Sequence, residues 1–390
     1  MNEAMFPETE SEIEPTAPAD LKRRIDAGER VTLLDTRARA DYGEWHIDAP
    51  NVTSVNVPYF DFLDGLDESL VADVPADEPV VVVCAKGTSS EFVAGLLADA
   101  GYETSHLDDG MRGWARLYEH TDLDLPSGTV VRQYRRPSSG CLAYMVVSEG
   151  EAAVIDPLRA FTDRYVADAD DLGVEITHVL DTHVHADHVS GLRELAAATG
   201  ATAVLPAAAA DRGATYADEV RTVAGGEELA VGGATLTVRH TPGHTSGMTT
   251  YRVDDALALT GDTLFVDSVA RPDLEEGDAG AADAARTLYD TLHDRLLTLP
   301  DDTLVGPAHF GERTEARDDG AYLATVGDLV DDLDLLGVDR ETFVERVLAD
   351  MPPRPANYES IIATNLGRET ADDDEAFTME LGPNNCAAGE

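Results

Sequence analysis

Apolar residues in this chain fall into short runs, and the spacing within each run predicts the element it forms. Pro79-Val-Val-Val-Val-Cys84 is continuously apolar, as a parallel strand covered on both faces must be. Arg30–Asp35 reads as a second strand. Ala19–Ile25 and Glu91–Ala100 carry apolar residues at helical spacing, with Asp20 placed to cap the first and Gly101 to end the second. Another helical stretch falls near Phe60–Leu70. Strands alternating with helices predict an α/β sheet over residues 19–120. A second set of strands is expected at Thr129–Tyr134, Ala143–Ser148, Ala152–Asp156, Glu175–Asp181, Ala234–His240, Ala256–Thr260 and Thr303–Ala308, which defines a domain over 129–313. Tyr322–Val330 and Arg340–Leu348 return to helical spacing, so 314–390 reads as a helical extension that frays after Glu380. Residues 1–18, rich in Glu, Pro and Thr, predict a flexible acidic tail, and the acidic 121–128 predicts a linker.

A chain of 390 residues with 43% hydrophobic side chains has room for two cores plus extensions. Its charge is lopsided: 76 acidic side chains against 28 basic ones give a formal net charge of -48. Such a surface repels phosphate backbones and acidic headgroups, so nucleic acid and membranes are not expected partners. The acids are spread along the whole chain, which suits concentrated salt, where repulsion is screened within about 3 Å at 1 M. Cys84, Cys141 and Cys386 are too few and too scattered for a disulfide framework, which fits a reducing interior. No run approaches the roughly 18 apolar residues of a membrane helix, and the first residues lack a signal-peptide layout. A cytoplasmic protein is expected, and assembly into a homodimer is left open.

The densest chemistry lies in Thr182-His183-Val184-His185-Ala186-Asp187-His188, between a strand end and a helix start. Three imidazoles and a carboxylate this close together point to metal binding, because neutral imidazole suits zinc and iron and a carboxylate adds charge. Three later strand ends offer further ligand types: His244 in Thr-Pro-Gly-His, Asp262 after Thr-Gly, and His309 after Gly-Pro-Ala. This pattern, in this order, resembles the metallo-β-lactamase superfamily. The resemblance implies an αββα sandwich and two kinds of site. In a dinuclear hydrolase, His183, His185 and His244 would hold one Zn(II), Asp187, His188 and His309 the other, with Asp262 bridging. In a mononuclear oxygenase, His183, His244 and Asp262 alone would hold one Fe(II) per chain. All seven residues are present, so counting ligands does not choose between them.

In the first domain, Cys84-Ala85-Lys86-Gly87-Thr88-Ser89-Ser90 puts a cysteine at a strand end, before a glycine-containing loop and a helix N-terminus. Backbone N–H groups and the helix dipole favour a thiolate there, and Lys86 adds positive charge. Leu33-Leu-Asp-Thr-Arg37, Trp45-His-Ile47, Asn56-Val-Pro58, Cys84-x-x-Gly87-x-Ser89 and Leu107–Trp114 together resemble the rhodanese family. That resemblance implies a persulfide on Cys84, cradled by the loop from Ala85 to Ser90.

The short interval from His244 to Asp262, the stretch Thr260–Asp273, and Ile155-Asp-Pro157 resemble the persulfide dioxygenase branch more than the glyoxalase II branch. Fusion to a sulfur-transfer domain fits the same branch. The implied reaction oxidises a low-molecular-weight thiol persulfide with O2 to sulfite. Asp187 is expected near the reacting atoms, and Arg271 and Asp273 are expected to shape the pocket, Arg271 by pairing with a substrate carboxylate. The alternatives are a dinuclear zinc thioesterase of the glyoxalase II type and a non-catalytic persulfide relay.

Overall fold

The computed structural model describes residues 9–311, 313–349 and 351–388, and the chain divides into two compact units after Leu117. The first is built on a five-stranded sheet in the order Pro15–Thr16, Thr104–Leu107, Val80–Val83, Val31–Asp35, Val52–Asn56. Every pairing in it is parallel. Side chains of a strand alternate between faces, and the valine run uses both. Val80 and Val82 pack with Leu34, Phe92, Val93 and Leu97 on one side; Val81 and Val83 pack with Leu21, Leu33, Met111 and Trp114 on the other. Helices Pro18–Asp26, Thr88–Asp99 and Gly110–Trp114 supply those partners. Pro18 opens the first helix, where its missing N–H costs nothing, and Asp20 sits in the first turn rather than capping it. The stretch near Phe60–Leu70 forms only the 3-10 turn Tyr59–Phe62.

The second unit holds two sheets. One has seven strands, ordered Arg221–Val223, Thr202–Pro206, Glu175–Leu180, Glu151–Ile155, Cys141–Ser148, Val130–Arg136, Glu119–Asp124. The other has six, ordered Glu228–Val231, Ala234–His240, Thr249–Val253, Leu257–Gly261, Leu304–Pro307, Ala324–Thr325. Between the sheets lie Leu142, Tyr144, Val146, Ile155, Leu180 and Val204, facing Leu229, Leu236, Val238, Tyr251, Val253 and Leu259. Helices Thr162–Leu172 and Leu192–Thr199 cover the first sheet's outer face, and Gly277–Thr291 and Arg340–Ala349 cover the second's. This is the αββα layering, with a parallel-sheet unit before it and further helices, Tyr358–Asn365 and Asp373–Met379, after it. No helix among the described residues is long and apolar enough to cross a membrane.

Three expectations change. Pro15–Thr16 pairs in parallel with His106–Leu107, so part of the expected flexible tail is an edge strand; residues 1–8 lie outside the described residues. The first half of the expected linker belongs to strand Glu119–Asp124, paired antiparallel with Val130–Arg136. Its acids disguised a period-two pattern: Asp122 accepts two hydrogen bonds from Arg132 across the ladder, at 2.7 and 2.8 Å, while Leu123 and Leu125 turn into the core. Finally, the chain does not fray after Glu380. Ala387–Ala388 pairs antiparallel with Val269–Ala270, and Cys386 is fully buried. Upstream, buried Arg136 donates to Glu380 at 2.8 Å and lies over the rings of Phe161 and Phe377.

Glu380→Ala takes the carboxylate away from that buried guanidinium. The loss should destabilise the second unit by about 3–5 kcal/mol, read as a lower urea midpoint at fixed salt; an unchanged midpoint would show that the pair contributes little.

Candidate metal centre and cysteine loop

The strand Glu175–Leu180 delivers the chain into a loop that is buried from Asp181 to Val189. Buried loop backbone needs partners, and they come from elsewhere in the fold. Asp156, at the end of the neighbouring strand and left-handed at φ 53°, accepts from Thr182 N at 2.6 Å and Thr182 Oγ1 at 2.9 Å. Its Oδ1 also lies 3.0 Å from His185 Nε2. Asn365 donates to the carbonyls of His185 and His188, both at 2.9 Å. Asp262 follows Gly261, whose φ is +53° and where a Cβ would collide with Met248 and Thr182. Only glycine lets the third sheet end approach this closely.

Three side chains converge. His183 Nε2 and His244 Nε2 lie 3.7 and 3.5 Å from the same oxygen, Asp262 Oδ2, and none of the three residues is more than 1% exposed. His183 Nε2 and Asp262 Oδ2 have no hydrogen-bond partner. The other nitrogens explain why. His244 Nδ1 is 2.8 Å from the Arg271 carbonyl, which can only accept, so the proton sits on Nδ1 and the Nε2 lone pair is free. Thr182 Oγ1 donates to Asp156 and can accept from His183 Nδ1 at 2.9 Å, which leaves His183 Nε2 bare as well. Burial pushes His183 well down and His244 down, keeping both imidazoles neutral. Burial works to raise Asp262, but the charge and hydrogen bond of His309 outweigh it and hold the carboxyl low. Two neutral imidazoles and one carboxylate, orphaned and facing one another, are the donor set a divalent cation takes.

The remaining four ligand candidates each have at least one polar atom engaged, while His185 Nδ1, His188 Nε2 and Asp187 Oδ1 are buried without a hydrogen-bond partner. Asp187 Oδ2 lies 3.0 Å from His188 Nδ1 and 2.8 Å from His309 Nε2. His309 Nδ1 lies 2.6 Å from Asp262 Oδ1, so both of its nitrogens face carboxylates. Burial opposes charge on His309, yet Asp262 and Asp187 raise it well above the usual imidazole range. His185 leans on Asp156 instead. Beside His183, His244 and Asp262 stands a second group, Cys141, Asp187, His188 and His309, whose ligand atoms also cluster within 4.8 Å, and Asp262 joins the two through His309. Cys141 Sγ lies 3.1 Å from Asp187 Oδ2.

Arg271 is a correction. It is 1% exposed, and the chain itself takes all three of its side-chain nitrogens. Nε and Nη2 go to Asp273 at 2.7 and 3.1 Å, and Nη1 to the carbonyls of Pro353 and Asn385 at 2.8 and 2.9 Å. Four of its five N–H donors are thus taken within the chain, so it anchors the C-terminal segment rather than standing free for a substrate carboxylate, and Asp273 anchors it in turn. Cys386, beyond that anchor, has its Sγ in one cluster with Asp262 and His309. Burial and the Asp262 and Asp187 carboxylates push its thiol up, a field that a bound dication opposes. Nothing local in the sequence marks Cys386 or Cys141 as neighbours of this site; only the sheet pairing brings them in.

In the first unit, Cys84 ends the valine strand and is 3% exposed. The Gly87 N–H points at its Sγ from 3.0 Å, and Ser90 Oγ lies 3.2 Å away. Gly87 has φ +87°, and the helix starts at Thr88. Gly110 is equally required, because a Cβ there would strike the Cys84 carbonyl. Ala85, Lys86 and Thr88 are exposed, Ser89 half-buried and Ser90 buried.

This architecture is that of a rhodanese-like unit followed by a metallo-β-lactamase unit. The metallo-beta-lactamase superfamily matches residues 137–309, and the rhodanese-like domain matches 17–117. The mitochondrial persulfide dioxygenase ETHE1 of Bos taurus is 30% identical over 200 residues, spanning 50% of this chain and 72% of that protein. The crystal structure of ETHE1 from Myxococcus xanthus matches with a TM-score of 0.53 and 32% identity, over 61% of this chain and 99% of that one. The hydroxyacylglutathione hydrolase of Rhodospirillum rubrum is 41% identical over 161 residues, 41% of this chain and 57% of that protein. Within the metallo-β-lactamase superfamily, the chain belongs to the persulfide dioxygenase family.

Thr182→Val removes the group that orients His183. Metal affinity, measured by competition with a chelator, should fall about 10–100-fold; unchanged affinity would mean that His183 is not a ligand.

Proposed function

We propose that this protein oxidises the outer sulfur of a low-molecular-weight thiol persulfide to sulfite, at a single Fe(II), and that its rhodanese-like unit transfers sulfane sulfur through Cys84. The observation that carries the reading is the set of His183, His244 and Asp262, in which both Nε2 atoms face one carboxylate oxygen and that of His183 has no hydrogen-bond partner. Bound there, ferrous iron supplies open coordination positions for a sulfur ligand and O2. The reaction balances as R–S–SH + O2 + H2O → R–SH + SO3²⁻ + 2 H⁺. Thr182 and the Arg271 carbonyl hold the two imidazoles in the ligating tautomer. His309, set between Asp262 and Asp187, can hold a proton at either ring nitrogen beside the reacting sulfur. In the first unit, the Gly87 N–H at the helix start stabilises anionic sulfur on Cys84.

The runner-up is a dinuclear zinc thioesterase. The cluster of Cys141, Asp187, His188 and His309 and the likeness to hydroxyacylglutathione hydrolases favour it. The unpartnered His185 Nδ1, His188 Nε2 and Asp187 Oδ1 favour it too, while both ring nitrogens of His309 facing carboxylates speak against it.

Elemental analysis of protein purified in strong salt without added metal should find one iron per chain; two zinc ions per chain would select the thioesterase. Oxygen uptake with glutathione persulfide should be present, and His244→Ala should reduce it to background. Cys84→Ser should abolish sulfur transfer between thiosulfate and thiols while oxygen uptake continues; equal loss of both would remove the division of labour between the units.

A further inference from the structure

The C-terminal segment is built around one side chain. Glu380 accepts from Val189 N at 3.1 Å and pairs with Arg136, fixing the segment beside the ligand loop. Asn384 Nδ2 donates to the Ser139 carbonyl at 2.6 Å. Asn384 Oδ1 then accepts from Cys386 N at 2.9 Å, and the Cys386 carbonyl accepts from Arg271 N at 3.1 Å. Cys386 is held from both sides and is fully buried. Its Sγ clusters with Asp262 and His309, next to the unpartnered Asp262 Oδ2 and His183 Nε2. Arg271, the cation beside His244, gives four of its five N–H donors to Asp273 and to the carbonyls of Pro353 and Asn385, the residue before Cys386.

We propose that Cys386 is the thiol that presents sulfur to this centre, so that the species oxidised is a persulfide on this chain, loaded from a small persulfide donor. This rests on the persulfide-oxidation reading above and names its immediate substrate. Loading is an exchange: R–S–SH + Cys386–SH → R–SH + Cys386–S–SH. An S–S bond forms at Cys386 Sγ as the donor's S–S bond breaks, and the thiol proton of Cys386 ends on the released R–SH. Oxidation follows as Cys386–S–SH + O2 + H2O → Cys386–SH + SO3²⁻ + 2 H⁺. The outer sulfur loses four electrons to O2, and water supplies the third oxygen. Sγ itself groups with Asp262 and His309 and not with His183 and His244. An added sulfur extends the side chain by about 2 Å beyond Sγ. The donor gains access when the two-residue pairing of Ala387–Ala388 with Val269–Ala270 parts.

The test uses full-length, iron-loaded protein under argon, treated with isotopically labelled glutathione persulfide and then freed of small thiols. Peptide mass spectrometry should find one added sulfur on Cys386, read separately from Cys84. Admitting O2 should then release labelled sulfite and restore the Cys386 thiol. Cys386→Ser should keep its iron and the loading of Cys84, and lose sulfite formation. An unloaded Cys386, or a Cys386→Ser protein that oxidises glutathione persulfide at the wild-type rate, overturns the proposal and leaves persulfide oxidation standing. No sulfite from either protein with the free persulfide overturns the parent reading instead. The loading measurement needs no variant, so it decides even if Cys386→Ser folds poorly.

Discussion

Asp262 is an ionised carboxylate with no water to solvate it, and much of the second unit is arranged to make that tolerable. One of its oxygens meets His309; the other faces His183 and His244. A buried charge is stable only where partners surround it, and here the partners arrive on separate sheet ends. Gly261 permits the approach of Asp262, Asp156 tethers the histidine loop, and the Arg271 carbonyl turns His244. Each support comes from a different strand or loop, so the centre exists only when both sheets have packed.

The same requirement separates what local sequence reveals from what it hides. The valine run, the histidine loop and the residues at sheet ends were legible, because each is a short pattern whose chemistry and setting are contiguous. Pairing across long sequence separations was not. Glu119–Asp124 looked like a solvated linker because its acids meet arginines only once it lies beside Val130–Arg136. The end of the chain looked frayed because its order depends on Val269–Ala270, Ser139 and Arg136. Arg271 was read as a substrate clamp for the same reason: its composition and position fit one, and only the returning C-terminal segment shows that its donors are taken.

The two units solve related problems with different means. Around Cys84, a single backbone N–H and a serine hydroxyl face one sulfur at a helix start. Around Asp262, imidazoles do the equivalent work with side chains. In both, glycines carry the geometry: Gly110 lets the chain pass over the Cys84 carbonyl, as Gly261 lets the strand end before Asp262 pass against Thr182 and Met248. Substituting either would displace the chemistry without touching a reactive atom.

The return of the C-terminal segment also orders events during synthesis. Glu380 and Cys386 leave the ribosome after every histidine and aspartate of the ligand set. The sandwich can therefore pack, and its donors can meet a cation, before the last stretch of chain is free to close over them. Insertion of the ion and sealing of the chamber become separate stages in the maturation of one polypeptide.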